Sequence, residues 1–213
     1  MNKFSFALGV TTRRRQLVAA ASCVTLTALV FAALPTPLGF GASKAVSASP
    51  SAIADGLPRV SLLDQKGRPV SLDSLKGKPV LVGFIHTSCK GPCELMTAKM
   101  REVAKDLGAR SESTLTMVSI TTDPEEDGPS QLLSYAKAQS VDAPGWFFLT
   151  GKPAEVDRVL AVYNIPHDED DEMTHVLDLF LLAADGRQVR HYHGTDFAAA
   201  AIAADVRKTL ARQ

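Results

Sequence analysis

The sequence predicts an α/β domain built around a mostly parallel sheet, and two observations carry this prediction. Apolar, β-rich segments alternate with helical patterns through the middle of the chain, which is the order that a parallel sheet requires. Two hairpin patterns, one before and one after this alternation, predict added antiparallel strands. The chain has 213 residues, of which 46% are hydrophobic, so it can form one domain of ordinary size plus an N-terminal extension.

The first predicted elements are a hairpin and a central strand. Residues 59–63 and 69–72 are short β patterns on either side of a turn signal at 64–67. Residues 79–85 are too apolar for a half-exposed strand, so we expect them to lie in the middle of the sheet.

Helices and strands then alternate along the chain. Apolar residues at helical spacing predict a helix at 93–107, which Gly108 ends. The elements predicted after it are a buried strand at 114–121, a helix at 130–140, a strand at 146–149, a helix at 153–163, hairpin strands at 176–183 and 188–193, and a closing helix at 197–210. This order is that of the thioredoxin-like fold, with an N-terminal β-hairpin added and a late β-hairpin inserted.

The N-terminal segment, residues 1–48, is predicted to be an export signal or a membrane anchor. It carries five basic residues and no acidic one, and a largely apolar run at 17–34 follows the last arginine. That run is near the lower length limit for a membrane span, so both alternatives stay open. Residues 49–56 are predicted to be a linker and residues 57–213 the domain. We expect the domain to be periplasmic or otherwise extracytoplasmic, with membrane contact only through the N-terminal segment.

Charge and cysteine content limit the function of the domain. Outside the N-terminal segment, 18 basic residues stand against 23 acidic ones, which gives no support for nucleic-acid binding. Cys23 belongs to the N-terminal segment, so the domain keeps only Cys89 and Cys93. Two cysteines this close in an oxidising compartment form a disulfide, bind a metal, or are kept reduced by a partner.

The loop that holds this pair follows the predicted central strand, where open α/β sheets place their sites. Pro92 suits the first turn of the next helix, whose amide donors and dipole favour thiolate over thiol. The spacing of Cys89 and Cys93 is one residue longer than a Cys-x-x-Cys motif, which leaves room for a metal ion. Two sulfurs and an imidazole would suit Cu(I) and can also hold Cu(II).

His175 is the candidate imidazole, because it lies just before the strand predicted at 176–183, where a thioredoxin-like chain crosses the cysteine loop. His86, three residues before Cys89, is an alternative ligand but is more simply a structural residue. His191 and His193 share one face of a predicted strand, a geometry that can bind metal, although exposed histidines on strands are commoner. The roles of these three histidines stay open.

Together these residues resemble the Sco/SenC copper proteins, which are cytochrome c oxidase assembly factors, over residues 57–212. The resemblance rests on several separated matches, namely Thr87 to Cys93, Asp123-Pro124 with Asp127, Leu149-Thr150-Gly151, His175, and Asp185-Gly186. It implies that Cys89, Cys93 and His175 bind copper. For Asp123 it implies a supporting role beside the metal, although an aspartate before proline is also an ordinary way to begin a turn.

The resemblance implies a copper metallochaperone outside the cytoplasm, which delivers copper to the binuclear copper site of a cytochrome oxidase. Its partners would be the copper-centre subunit of the oxidase, and a periplasmic thiol reductase or another copper chaperone. The alternative is a thiol–disulfide oxidoreductase acting on client cysteine pairs, in which Cys89 attacks and Cys93 resolves the mixed disulfide. The family usually has proline directly after each cysteine, whereas this chain has Lys90 and Glu94 there and Pro92 between them. Because this arrangement leans toward thioredoxins, the question of whether the protein is an enzyme stays open.

Overall fold

Apolar strands in the middle of the chain organise the fold. A computed structural model describes residues 56–165 and 177–212, and the bounds of every element refer to these residues. The strands are β1 (Ser61–Asp64), β2 (Pro69–Ser71), β3 (Val80–Ile85), β4 (Thr116–Thr121), β5 (Trp146–Thr150), β6 (Asp178–Leu182) and β7 (Gln188–His193). The helices are α1 (Pro92–Leu107), α2 (Ser111–Thr114), α3 (Pro129–Ala138), α4 (Pro153–Val162) and α5 (Ala199–Leu210).

These strands form one sheet in the order β2-β1-β5-β4-β3-β6-β7. The three middle strands β5, β4 and β3 are parallel, and each neighbour added on either side is antiparallel. All residues of β3 and β4 are buried, which explains why both segments are apolar or small along their whole length. The α/β class, the central position of β3 and both added hairpins are therefore confirmed.

Helices cover both faces of the sheet and make two hydrophobic cores. Because successive residues of a strand point to opposite faces, Ile85 packs in the core beneath α1, α3 and α5, while Phe84 packs in the core beneath α4. Met100 and Met117 are buried in the first of these cores, as packing residues. Cys89 and Cys93 belong to the same core, so the cysteine pair lies on the α1 face of the sheet.

The segment between α1 and β4 differs from the sequence prediction. It contains a 3-10 turn at Gly108–Arg110 and the short helix α2, neither of which was predicted, and Thr114, predicted as the first residue of a strand, ends α2, so that β4 begins at Thr116. Ser113 Oγ and Thr114 Oγ1 both donate hydrogen bonds to the backbone oxygen of Arg110, which stabilises a turn of helix too short for any apolar repeat to announce.

In the part of the chain that the structure describes, no helix is long and apolar enough to cross a bilayer. The described residues do not include the apolar run at 17–34, and of the linker at 49–56 they include only the last residue. The predictions of an export signal or anchor and of the domain boundaries are therefore not tested. The division into residues 1–48, 49–56 and 57–213 stays a prediction.

Candidate metal centre

The cysteine loop connects the carboxyl end of β3 to the first turn of α1. The backbone N–H of Cys89 donates to the oxygen of His86 at 3.1 Å, which closes a tight turn. Gly91 then adopts φ 100° and ψ −80°, a conformation that costs an L-residue strain but is open to glycine. Pro92 begins the helix, and Leu95 N–H donates to Gly91 oxygen at 2.8 Å. Cys89 therefore lies in a turn, and Cys93 lies in the first turn of α1.

Both thiols are free and almost completely shielded from solvent. Cys89 is 8% exposed and Cys93 is 0% exposed. Burial raises the pKa of Cys93 well above its ordinary value, and the adjacent Cys89 thiol raises it further. The N–H of His86, which donates to Cys93 Sγ at 3.3 Å, acts in the opposite direction but is outweighed. The expectation that the helix N-terminus favours thiolate is therefore wrong for Cys93, because desolvation is the larger effect.

Asp127, which lies between β4 and α3, fixes the cysteine loop. Its carboxylate is 1% exposed and accepts hydrogen bonds from three donors. These are the Thr87 N–H at 2.9 Å, the Thr87 hydroxyl, and the Thr121 hydroxyl at 2.6 Å. Thr87 is two residues before Cys89, and Thr121 is the last residue of β4. A buried carboxylate therefore ties the cysteine loop to the end of β4, a role that the motif containing Asp127 hinted at but spacing alone could not specify.

Asp123 both begins a turn and reaches the cysteine loop. It starts the turn as an aspartate before proline commonly does, with Oδ1 accepting the N–H of Glu126 at 3.2 Å. Its Oδ2 lies 3.3 Å from His86 Nε2, and the backbone N–H of the same histidine contacts Cys93 Sγ. Asp123 can therefore begin a turn and support the cysteine loop at the same time, and its influence on a bound metal stays a prediction. The described contacts of His86 agree with a structural role.

His175, the predicted third ligand, lies outside the described residues, so its position as a ligand stays a prediction. The strand that follows it is placed suitably. Gly83 of β3 pairs with Leu179 of β6, and the two strands are antiparallel. The amino end of β6 therefore lies at the same edge of the sheet as the carboxyl end of β3, from which the cysteine loop extends.

A second group of metal-ligating side chains, which the sequence only half indicated, lies on β6 and β7. His191 and His193 share one face, as expected, and both contact Asp178. One ligand atom from each of the three residues lies within 4.8 Å of the others. Asp178, the first residue of β6, had no predicted role in the sequence.

Comparison with known proteins identifies the family. The SCO1/SenC family model matches residues 54–211, and the chain belongs to this family. A SCO1 protein homolog from Bacillus subtilis is 34% identical over 139 residues, which cover 62% of this chain and 71% of that protein.

Solved structures agree on the fold. The copper-bound structure of Bradyrhizobium japonicum ScoI is 30% identical, with a TM-score of 0.60, and the match covers 70% of this chain and 96% of that one. BsSco, described as a member of the Sco family of cytochrome c oxidase assembly proteins with a disulfide switch, is 28% identical with a TM-score of 0.63, over 75% of this chain and 95% of that one. The predicted family and thioredoxin-like fold are confirmed.

Proposed function

We propose that this protein is a copper metallochaperone, which holds copper through Cys89, Cys93 and His175 and delivers it to the binuclear copper site of a cytochrome oxidase. The observation that carries the proposal is a pair of free, buried thiols in one tight loop, positioned by a buried carboxylate. Thiolates are soft donors that select Cu(I), and an imidazole would also suit Cu(II). The copper held by the related ScoI supports copper as the ion.

The burial of the thiols favours holding a metal over exchanging disulfides. An attacking thiol has to reach the sulfur of a client protein and has to ionise easily. Cys89, the attacking thiol of the oxidoreductase alternative, is 8% exposed, which restricts this approach, and burial holds the pKa of Cys93, the resolving thiol, high. A bound cation changes this balance, because it replaces the thiol protons and offsets the cost of burying negative charge. The site is therefore better suited to thiolates that are formed on copper binding.

Release of copper to a partner would proceed by ligand exchange, and the structure offers an approach. A cleft of about 450 Å³ opens beside the cysteine loop, lined in part by Thr87, Lys90, Glu94 and Tyr135. The polar and charged residues in its lining suit a transient partner better than a permanent one. The copper-centre subunit of the oxidase would use this side, and a periplasmic thiol reductase or another copper chaperone would be a further partner. An export signal or anchor in residues 1–48 would place the domain outside the cytoplasm.

Oxidation would gate loading. Joining Cys89 and Cys93 in a disulfide removes two protons and two electrons, and it removes both sulfur donors from the metal site. The disulfide switch described for the related BsSco supports such a gate in this family. The oxidoreductase alternative also stays open, because a reversible disulfide is what it requires and because Pro92 gives the loop a thioredoxin-like sequence.

Anaerobic titration of the reduced and the oxidised protein with Cu(I) tests the proposal. The reduced protein is expected to bind one copper ion per chain, and the oxidised protein none. Cys89→Ser and Cys93→Ser are each expected to abolish stoichiometric binding in the presence of a competing chelator. Cys23→Ser is the matched control, since Cys23 lies in the predicted export segment and not in the site. Equal copper binding by the oxidised and reduced protein would contradict the proposal.

A further inference from the structure

We propose that Asp178, His191 and His193 form a second metal site, which takes a borderline divalent cation and holds Cu(II) most tightly among the first-row ions. The site goes beyond the proposed function, because it uses none of the three predicted copper ligands. Two imidazoles and a carboxylate are the donors that zinc and Cu(II) favour, and the stability order of divalent ions places Cu(II) highest.

The strand geometry brings the three donors together. Side chains two residues apart on a strand point to the same face, so His191 and His193 project side by side. Asp178 is the register partner of His193 across the antiparallel pair β6–β7. As a result, Asp178 Oδ1 lies 2.5 Å from His191 Nε2 and 2.9 Å from His193 Nδ1. One carboxylate oxygen thus lies between two imidazole nitrogens.

A metal ion can replace these hydrogen bonds with small movements. Neighbouring donor atoms at about 2.0–2.1 Å from an ion are roughly 3.3 Å apart in tetrahedral geometry and roughly 2.9 Å apart in the tetragonal geometry of Cu(II). The present separations of 2.5 and 2.9 Å would therefore have to grow by less than about 1 Å, and the two imidazole nitrogens, at most 4.8 Å apart, would have to approach each other. His193 is free to make that adjustment, since its side chain is 63% exposed, and its exposure leaves a path for the ion and for water.

The other two side chains are held in place before any ion binds. The ring of His191 stacks on Phe180, with ring centroids 4.3 Å apart and planes 7° from parallel. The Asp178 side chain is only 12% exposed, so its negative charge is poorly hydrated and a cation beside it is favoured. Two of the three donors are therefore positioned by packing, which reduces the entropy lost on binding.

This cluster lies on the other face of the sheet from the cysteine pair. Phe180 belongs to the core beneath α4, whereas Cys89 and Cys93 belong to the core beneath α1. The cluster has no sulfur donor, so Cu(I) has no preference for it. The two sites can therefore be occupied independently, one by soft and one by borderline ions.

The test uses the full-length protein with the three predicted copper ligands removed by Cys89→Ser, Cys93→Ser and His175→Ala. This background variant, titrated with Cu(II) against a competing chelator, is expected to bind one ion with paramagnetic resonance couplings from two imidazole nitrogens. Adding His193→Ala should weaken binding at least about tenfold and leave one nitrogen coupling. Adding His167→Ala is the control and should change neither measurement. Circular dichroism of every variant verifies folding.

Three results would overturn the proposal. The first is that the background variant takes up no Cu(II) in competition with the chelator. The second is an affinity and a nitrogen coupling pattern that His193→Ala leaves unchanged. The third is the same loss on His167→Ala, which would place the ion elsewhere. Failure of this test leaves the proposed function intact, because the background variant lacks the cysteines and His175 on which that function depends.

Discussion

Replacing the buried carboxylate of Asp127 tests how the cysteine loop is held. In Asp127→Ala, the Thr87 N–H and the hydroxyls of Thr87 and Thr121 would all lose their acceptor in a buried position. Hydrogen bonds to a charged group contribute about 1.5–3 kcal/mol each, and they are not additive within one network. We expect Asp127→Ala to lower the free energy of unfolding by about 3–5 kcal/mol, a large share of the stability of a domain this size.

Asp127→Asn is the more informative variant, because it keeps the shape and one acceptor oxygen. The Thr87 hydroxyl can rotate to accept from the new amide, so mainly the charge is lost. We expect a loss of about 1–2 kcal/mol, seen in urea unfolding as a midpoint lower by roughly 0.5–1 M. Copper affinity of the reduced variant is expected to fall as well, because the loop carrying Cys89 is less ordered.

The matched control is Asp157→Asn, which makes the same chemical change at an exposed position on α4 and should cost less than about 0.5 kcal/mol. If Asp127→Asn matched this control in both unfolding and copper affinity, the idea that Asp127 positions the cysteine loop would be refuted.

Three further predictions concern the loop and its neighbours. Gly91→Ala should lower the free energy of unfolding, measured by chemical denaturation, by about 1–2 kcal/mol, because an alanine is strained at the φ of 100° that Gly91 adopts. An unchanged free energy of unfolding would contradict the argument from backbone strain. Burial raises the pKa of Cys93 in the folded protein above its ordinary value of 9.0. Above about pH 9 the unfolded chain therefore loses the Cys93 proton while the folded chain keeps it, and the free energy of unfolding should fall as the pH rises. Unfolding curves between pH 8 and 10 should show this slope in the parent and a smaller one in Cys93→Ala; identical slopes would count against it. Asp123→Ala should weaken copper binding roughly tenfold to a hundredfold through its contact with His86, measured by chelator competition, and unchanged affinity would leave Asp123 only its role in the turn.

The sheet could be predicted from the sequence because burial leaves a direct mark on it. β3 and β4 are covered on both faces, so each had to be apolar or small throughout. The position of the cysteine loop followed from the fold, since parallel strands end at one edge. α1 begins at Pro92, next to the predicted start, because proline suits a first helical turn.

The features that could not be predicted depend on contacts between distant segments. Asp178 meets His191 and His193 only because β6 and β7 pair with Asp178 opposite His193. That register passes through an irregularity between Leu181 and Leu182, which no local pattern specifies. Likewise, the helix dipole acting on Cys93 could be inferred from the place of Cys93 at the start of a predicted helix. The burial of Cys93 could not, because it results from packing in the core beneath α1, α3 and α5.

The most direct test of the central claim is the Cu(I) affinity of His175→Ala, measured anaerobically on the reduced protein together with its disulfide potential. Both candidate functions need Cys89 and Cys93, but only the copper site needs an imidazole. We expect His175→Ala to weaken copper binding by more than the tenfold to hundredfold typical of an outer partner, and to leave the potential within about 30 mV of the parent. His167→Ala, from the same part of the chain, should change neither. Copper affinity untouched in His175→Ala, with thiol exchange retained, would contradict the copper chaperone and favour the oxidoreductase.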